Sequence, residues 1–263
     1  MQIDLLFDNI PLLLLYVITV AIVFLSVICG FGMGSYTRRH KKSEKEAPVG
    51  TLIGAMLGLL AFILAFTFGI ASTRFDARKQ LLLDEVNAIG TAFLRADFLA
   101  YPQSVAARNL LKKYVDILVE ATRNPEKLSK ALVDSEMLHE QLWSQVTAFA
   151  GQNNNSILLG LYIQSLNEVF DLHAQRVTVA LRYRIPGSIW LALYFVTMLT
   201  MWAVGYDFGR KGVANILISL ALALAFSIII LLIADLDRSS EGFLTVSQNP
   251  MIELQQKLSL SAK

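Results

Sequence analysis

Four stretches of the chain contain no Asp, Glu, Lys or Arg: residues 11–34, 50–73, 186–206 and 212–234. A bilayer core about 30 Å thick takes roughly 20 residues in a helix, so each stretch is long enough to cross it. Short polar connections pair them into two transmembrane hairpins, 1–73 with a basic loop at 35–49, and 186–234. The first span is preceded only by Asp4 and Asp8 as charges. It lacks the basic leader of a signal peptide and exceeds the length of its apolar core, so it reads as a retained helix.

Between the hairpins, residues 74–185 change pattern. No strand alternation and no repeat occurs; helical periodicity is broken at Pro102, Pro125 and the polar run 151–155. Leu82, Val86, Ile89 and Phe93 recur at steps of four, three and four and predict one buried stripe. A second helix carries Leu110, Leu111, Tyr114, Leu118 and Val119, a third follows Asn124-Pro125, and a fourth covers about 156–184. No proline separates span two from the first insert segment, which predicts one helix of more than about 40 residues, and the fourth helix is expected to run toward span three with a kink at Pro186. Residues 235–263 are left as a C-terminal tail. The fold class expected is an all-α membrane protein: four transmembrane helices as two hairpins, an all-helical hydrophilic insert between spans 2 and 3, and long helices continuing out of the membrane.

Composition agrees and narrows the function classes. The 263 residues are 55% hydrophobic and 17% charged, with a mean hydropathy of +0.53, which excludes an ordinary soluble domain and a disordered chain. Cys29 is the only cysteine, so no internal disulfide exists, and a net charge of +2 gives no electrostatic case for nucleic acid. Charge position matters more than its sum. Arg38, Arg39, Lys41, Lys42 and Lys45 beside His40 fill the first short loop, and Arg210 and Lys211 fill the second. The positive-inside rule makes both loops cytoplasmic and places the insert and both termini outside, in a multi-pass inner-membrane protein. The other side is basic too, with Arg74, Arg78, Lys79, Arg176, Arg182 and Arg184, but long loops count little under the rule.

Three constellations are candidates for function. In span two, Gly50, Gly54, Gly58, Ala61, Ala65 and Gly69 fall within one face about 100° wide. Such a face permits close helix packing, or, together with Thr67, it lines a pore and leaves room for water and ions. Beyond the membrane, Gln80, Asp84, Asn87, Thr91 and Arg95 form a polar seam that is either a solvated face or the wall of a vestibule, where Asp84 or Glu85 would set ion preference. Thirdly, Arg74, Asp76, Arg78, Lys79, Arg182, Arg184, Asp235, Asp237 and Arg238 gather at span ends on the insert side. They form interfacial salt bridges or a charged mouth whose basic balance favours anions.

Catalytic signals are poor. His40, His139 and His173 show no i,i+4 pairing, so no helical metal site is expected. Asn167 and Asp171 share a helical face, and Glu168 with Asp171 and Glu85 is the one cation cluster considered. No Walker loop, nucleophile elbow or H-E-x-x-H motif is present, and no cofactor or enzyme activity is expected. The sequon at Asn154 carries no weight without a eukaryotic host.

The segments APVGTLIGAMLGLLAFILAFTFGIAS (47–72), RFDARKQLLLDEVNAIGTAFLRADFL (74–99), LNEVFDLHAQRVTVALRYRIP (166–186) and DLDRSSEGFLTVSQNPM (235–251) together resemble the bacterial bestrophin-like membrane proteins. The resemblance covers most of the chain and is least in the middle of the insert; Val86 stands where Ala is expected, and Ser239 where Pro is expected. By analogy with bestrophins it implies a pentameric anion channel of four spans with span two lining the pore, here 50–73. It also implies a cytoplasmic insert, against the orientation given by the short loops, and no counterpart of the bestrophin acidic calcium clasp is recognisable. The function expected is a homo-oligomeric ion channel in the lipid bilayer, passing inorganic ions along span two. The alternative is a non-conducting envelope scaffold or sensor whose insert binds a partner.

Overall fold

The computed structural model describes residues 10–40, 49–150, 156–213, 215–238 and 242–260. The expectations for Lys41, Lys42, Lys45, the run 151–155, Asn154 and Ser239 lie outside the described residues. Among the described residues there are eight α-helices: α1 Leu12–His40, α2 Val49–Arg95, α3 Gln103–Arg123, α4 Leu128–Ala150, α5 Ile157–Leu181, α6 Gly187–Lys211, α7 Ile216–Asp237 and α8 Asn249–Leu260. Among the described residues there are also two 3-10 turns, Ala96–Phe98 and Pro125–Lys127, and no strand. Among the described residues, four helices that overlap the four uncharged stretches are long and apolar enough to cross a bilayer.

The chain divides into two compact units, one of residues 1–75 and 184–245, the other of 76–183 and 246–263. In the first, α1 packs on α6 and α7. Helices α1 and α6 run parallel and approach to backbone contact: a Cβ on Gly205 would overlap the Val27 carbonyl, one on Gly209 the Phe31 carbonyl, and ones on Gly30 and Gly34 the carbonyls of Trp202 and Tyr206. Two glycines four residues apart on each helix therefore interlock, and only glycine permits that separation. Thr19 and Tyr194 bridge the pair lower down through hydroxyls 2.8 Å apart.

In the second unit, the stripe Leu82, Ile89 and Phe93 of α2 packs with Leu111, Tyr114 and Val115 of α3, Leu138 and Leu142 of α4, and Leu166 and Val169 of α5. The segment left as a tail supplies α8, which inserts Met251, Leu254 and Leu258 into this same core. Helix α2 runs 47 residues without a break, about 70 Å at the helical rise. Helix α5 does not continue into span three. It ends at Leu181, and residues up to Pro186 are not helical, because the residue before proline is pushed out of helical geometry and the Ile185 amide is drawn instead to the Asp237 carboxylate at 3.0 and 3.2 Å.

Candidate functional site

Among the described residues, the glycines of span two have no neighbour on their open face. A Cβ on Gly50, Gly54, Gly58 or Gly69 would meet nothing within 4 Å, and Ala61 and Ala65 are exposed beside them. Only 11% of the apolar stretch of α2 is buried, against 28%, 39% and 28% for α1, α6 and α7. The close crossing inside the chain is made by Gly30, Gly34, Gly205 and Gly209. Thr67 does not share the glycine face: it is 1% exposed, turned with Leu60, Leu64 and Ala71 into the core, and its hydroxyl donates to the Ile63 carbonyl at 2.8 Å. At about 100° per residue it stands roughly 150° from the centre of that face. The open side of α2 also carries Phe62 and Phe66, 68% and 63% exposed and stacked along the helix with ring centroids 6.5 Å apart.

Farther along α2, the polar seam opens onto a groove of about 620 Å³ in which Asp84, Asn87 and Thr91 face Asn167, Glu168 and Asp171 of α5. No Lys or Arg lines it. Gln80 donates to Asp84 at 2.9 Å. Arg95 fixes the far end of the seam by donating to the Leu161 carbonyl at 2.8 Å.

Glu85 is not in this groove. It is fully buried on the opposite side of α2, three residues after Leu82 and four before Ile89 and therefore on their stripe. The cation cluster of Glu85, Glu168 and Asp171 is thus not assembled, and among the described residues no group of three or more His, Cys, Asp or Glu is placed to hold a metal ion. Glu85 instead anchors a polar network. Tyr114 donates to its Oε1 at 2.7 Å, His173 Nδ1 lies 3.1 Å from the same oxygen and 2.9 Å from the Tyr114 hydroxyl, and Arg176 donates to Oε2. Arg176 also reaches the Gln248 Oε1 at 3.4 Å, joining the segment before α8. The His139 ring packs tilted against Tyr114 at 4.9 Å and Phe170 at 4.3 Å and edge-on to His173 at 5.2 Å, with its Nε2 buried and unpartnered among the described residues.

These surroundings set the charges. Burial alone would raise the Glu85 carboxyl, but the His173 hydrogen bond and the Arg176 charge outweigh it and hold the group down at about 2. Burial, followed by the negative Glu85, pushes the Tyr114 phenol well above its usual range and keeps it a donor. Burial, followed by repulsion from His173, pushes His139 down to about 4, so it is neutral near pH 7. The sequence reading missed this network because it took Glu85 for a seam residue. A carboxylate in phase with a leucine stripe was the signal available.

The charged span ends are divided between the two units. Within the first unit, Asp237 accepts the Ile185 amide and lies 3.7 Å from Arg74, Arg184 donates to the Asp237 carbonyl, and Arg238 donates to the Ile10 carbonyl at 2.5 Å. Asp235 accepts the amides of Phe243 and Leu244 at 2.9 and 3.1 Å. These residues stitch the entry of α6, the end of α7 and the chain that follows it. Asp76, Arg78, Lys79 and Arg182 belong to the second unit; Arg78 is buried and the other three are exposed.

Residues 14–251 match the bestrophin-like domain family. Solved structures with the same fold include a bacterial bestrophin homologue from Klebsiella pneumoniae at 14% identity and a TM-score of 0.66, over 94% of this chain and 99% of that one. Another Klebsiella pneumoniae homologue structure gives 15% identity and 0.64 over 92% and 97%, and a membrane-protein crystal structure gives 15% and 0.62 over 92% and 95%. At such identity the structural likeness is one of fold. Comparison with curated protein sequences finds no significant match. Because the family match spans the whole insert and all but the first two residues of the four apolar helices, the chain belongs to the bestrophin-like family of membrane proteins.

Proposed function

We propose that the protein is a homo-oligomeric ion channel in which α2 of each copy lines the path. The observation that carries this reading is the long apolar helix left almost uncovered by its own chain, with a row of glycines open along it. A membrane helix with a small-residue face gains van der Waals contact when another helix closes on it, and a second copy supplies one. Periodicity divides the open side further. At about 100° per residue, Phe62 and Phe66 fall in phase with Gln80, Asp84, Asn87 and Thr91, whereas Gly50, Gly54, Gly58, Ala61, Ala65 and Gly69 centre roughly 90° away. If the polar seam is wetted, Phe62 and Phe66 face the path as an apolar constriction and the glycine side takes the neighbouring copy.

Selectivity follows the groove. Its wall carries Asp84, Glu168 and Asp171 without a basic residue, while Arg74, Arg184 and Arg238 at the span ends are engaged by Asp237 and backbone carbonyls. That balance favours cations over the anions suggested by charge counting at the mouth. Recording from purified protein in planar bilayers under asymmetric NaCl tests this: the reversal potential moves toward the sodium equilibrium value, and Phe62→Ala with Phe66→Ala raises conductance. An absence of current across salts and voltages from a correctly folded preparation would sink the channel reading, and a chloride-directed reversal potential would sink the cation assignment.

A further inference from the structure

Helices α1 and α6 run parallel and end together, so their last turns put Arg38, Arg39, Arg210 and Lys211 at the same end of the pair. The glycine crossing fixes this pairing: a Cβ on Gly34 would lie 2.9 Å from the Arg210 amide. Past it, α6 closes on Gly212, in the left-handed conformation at φ 72°, with Val213 donating back to the Phe208 carbonyl at 3.2 Å. The Arg38 guanidinium occupies the space that a side chain at Gly212 would need. A guanidinium is therefore seated at the joint end of the two helices rather than left to wander. Lys211 is paired with Asp207 at 2.6 Å. Among the described residues, Arg38, Arg39 and Arg210 have no carboxylate partner. At the other end of the same unit, by contrast, Arg74 and Arg184 converge on Asp237.

The level of this cluster in the membrane follows from its aromatic neighbours. Tyr36 stacks on His40 at 4.1 Å and Trp202 on Tyr206 at 5.6 Å, within about two and a half turns of the helix ends. Amphipathic rings of this kind sit among lipid headgroups, which places the three guanidinium groups in the phosphate layer. We infer that the joined C-terminal ends of α1 and α6 bind the phosphate headgroup of an anionic phospholipid, with Arg38, Arg39 and Arg210 as its donors. The planar fork of arginine matches two phosphate oxygens, and the apolar flanks of the helices receive the acyl chains. Lipid binding there is independent of whether the protein conducts.

The test uses full-length protein in phosphatidylcholine vesicles containing spin-labelled phosphatidylglycerol or spin-labelled phosphatidylcholine, with the immobilised fraction giving relative affinity. Wild type prefers phosphatidylglycerol by about fivefold or more, in line with the attraction of basic residues to an anionic surface. The variant Arg38→Gln/Arg39→Gln/Arg210→Gln falls to near parity. Arg39→Gln and Arg210→Gln singly, which leave the Arg38 seat intact, each lower the preference about twofold and serve if the triple variant does not fold. Excess inorganic phosphate at matched ionic strength leaves the lipid preference unchanged, because it lacks the acyl chains. A wild-type preference near one, a preference unaltered in the variants, or displacement by inorganic phosphate would overturn the assignment.

Discussion

His139 makes the insert sensitive to acid, and replacing it with Phe should remove that sensitivity. The ring lies among Tyr114, Phe170 and His173 with a buried Nε2 that has no acceptor or donor among the described residues, and its pKa is pushed from 6.5 to about 4. The folded state therefore binds a proton less readily than the unfolded chain, so the stabilisation is complete above pH 6.5 and drains away as pH falls toward 4. A gap of 2.5 units sets a ceiling of about 3.4 kcal/mol, and partial solvent access to the ring reduces this to about 2 kcal/mol by pH 4.5. Glu85, whose folded pKa of about 2 lies below its ordinary 4.5, adds its own loss only from pH 4.5 downward, so the interval from 6.5 to 4.5 isolates the histidine. Phe fits beside Phe170 without a proton to gain. The assay is denaturant unfolding of the purified protein in detergent, followed by helical circular dichroism across that interval. Wild type should lose about 2 kcal/mol and His139→Phe less than about 0.5. Parallel pH profiles for the two proteins would show that the burial argument is wrong.

The remaining predictions concern other parts of the molecule. Glu85→Gln leaves Arg176 facing a neutral amide in a buried site and should cost about 3 kcal/mol, visible as a lower melting temperature at pH 7 and a much smaller loss relative to wild type below pH 3. Gly205→Leu drives a side chain into the Val27 carbonyl and should abolish the α1–α6 crossing, whereas Gly58→Leu, with open space around it, leaves the fold of the single chain intact and disrupts assembly; size-exclusion profiles and thermal unfolding distinguish the two. Asp237→Ala strips the acceptor from the buried Ile185 amide and a partner from Arg74, for a loss of about 3 kcal/mol in unfolding free energy.

The parts of the fold legible in the sequence were those governed by one-dimensional rules. Absence of charge over about 20 residues is a sufficient condition for a span because hydrocarbon penalises every exception, and uninterrupted helical periodicity from Gly50 to Arg95 has only one reading, a single long helix. The break after Leu181 was not legible to the same degree. Pro186 alone permits a kink or a stop, and what selects the stop is Asp237, 52 residues away, taking the Ile185 amide. The role of α8 was hidden for the same reason: Met251, Leu254 and Leu258 are too few to announce a core helix until the α3 surface it packs on is known.

Small residues show most clearly where sequence pattern stops short. Gly30, Gly34, Gly205 and Gly209 have the same four-residue spacing as Gly50, Gly54 and Gly58, and nothing local separates them. Yet the first group is closed by backbone inside the chain while the second meets nothing. Spacing states that a helix can be approached closely; only the tertiary arrangement states what approaches. Here the arrangement uses one pair of faces to hold α1 against α6 and leaves the other, among the described residues, unpaired on the least covered of the four apolar helices. A glycine face that its own chain does not use exposes helix backbone for no benefit to the monomer, since glycine weakens a helix relative to alanine. Retaining three of them in register along α2 is therefore reasonable only if something outside the chain, a second copy in the proposal made above, comes close enough to need the space.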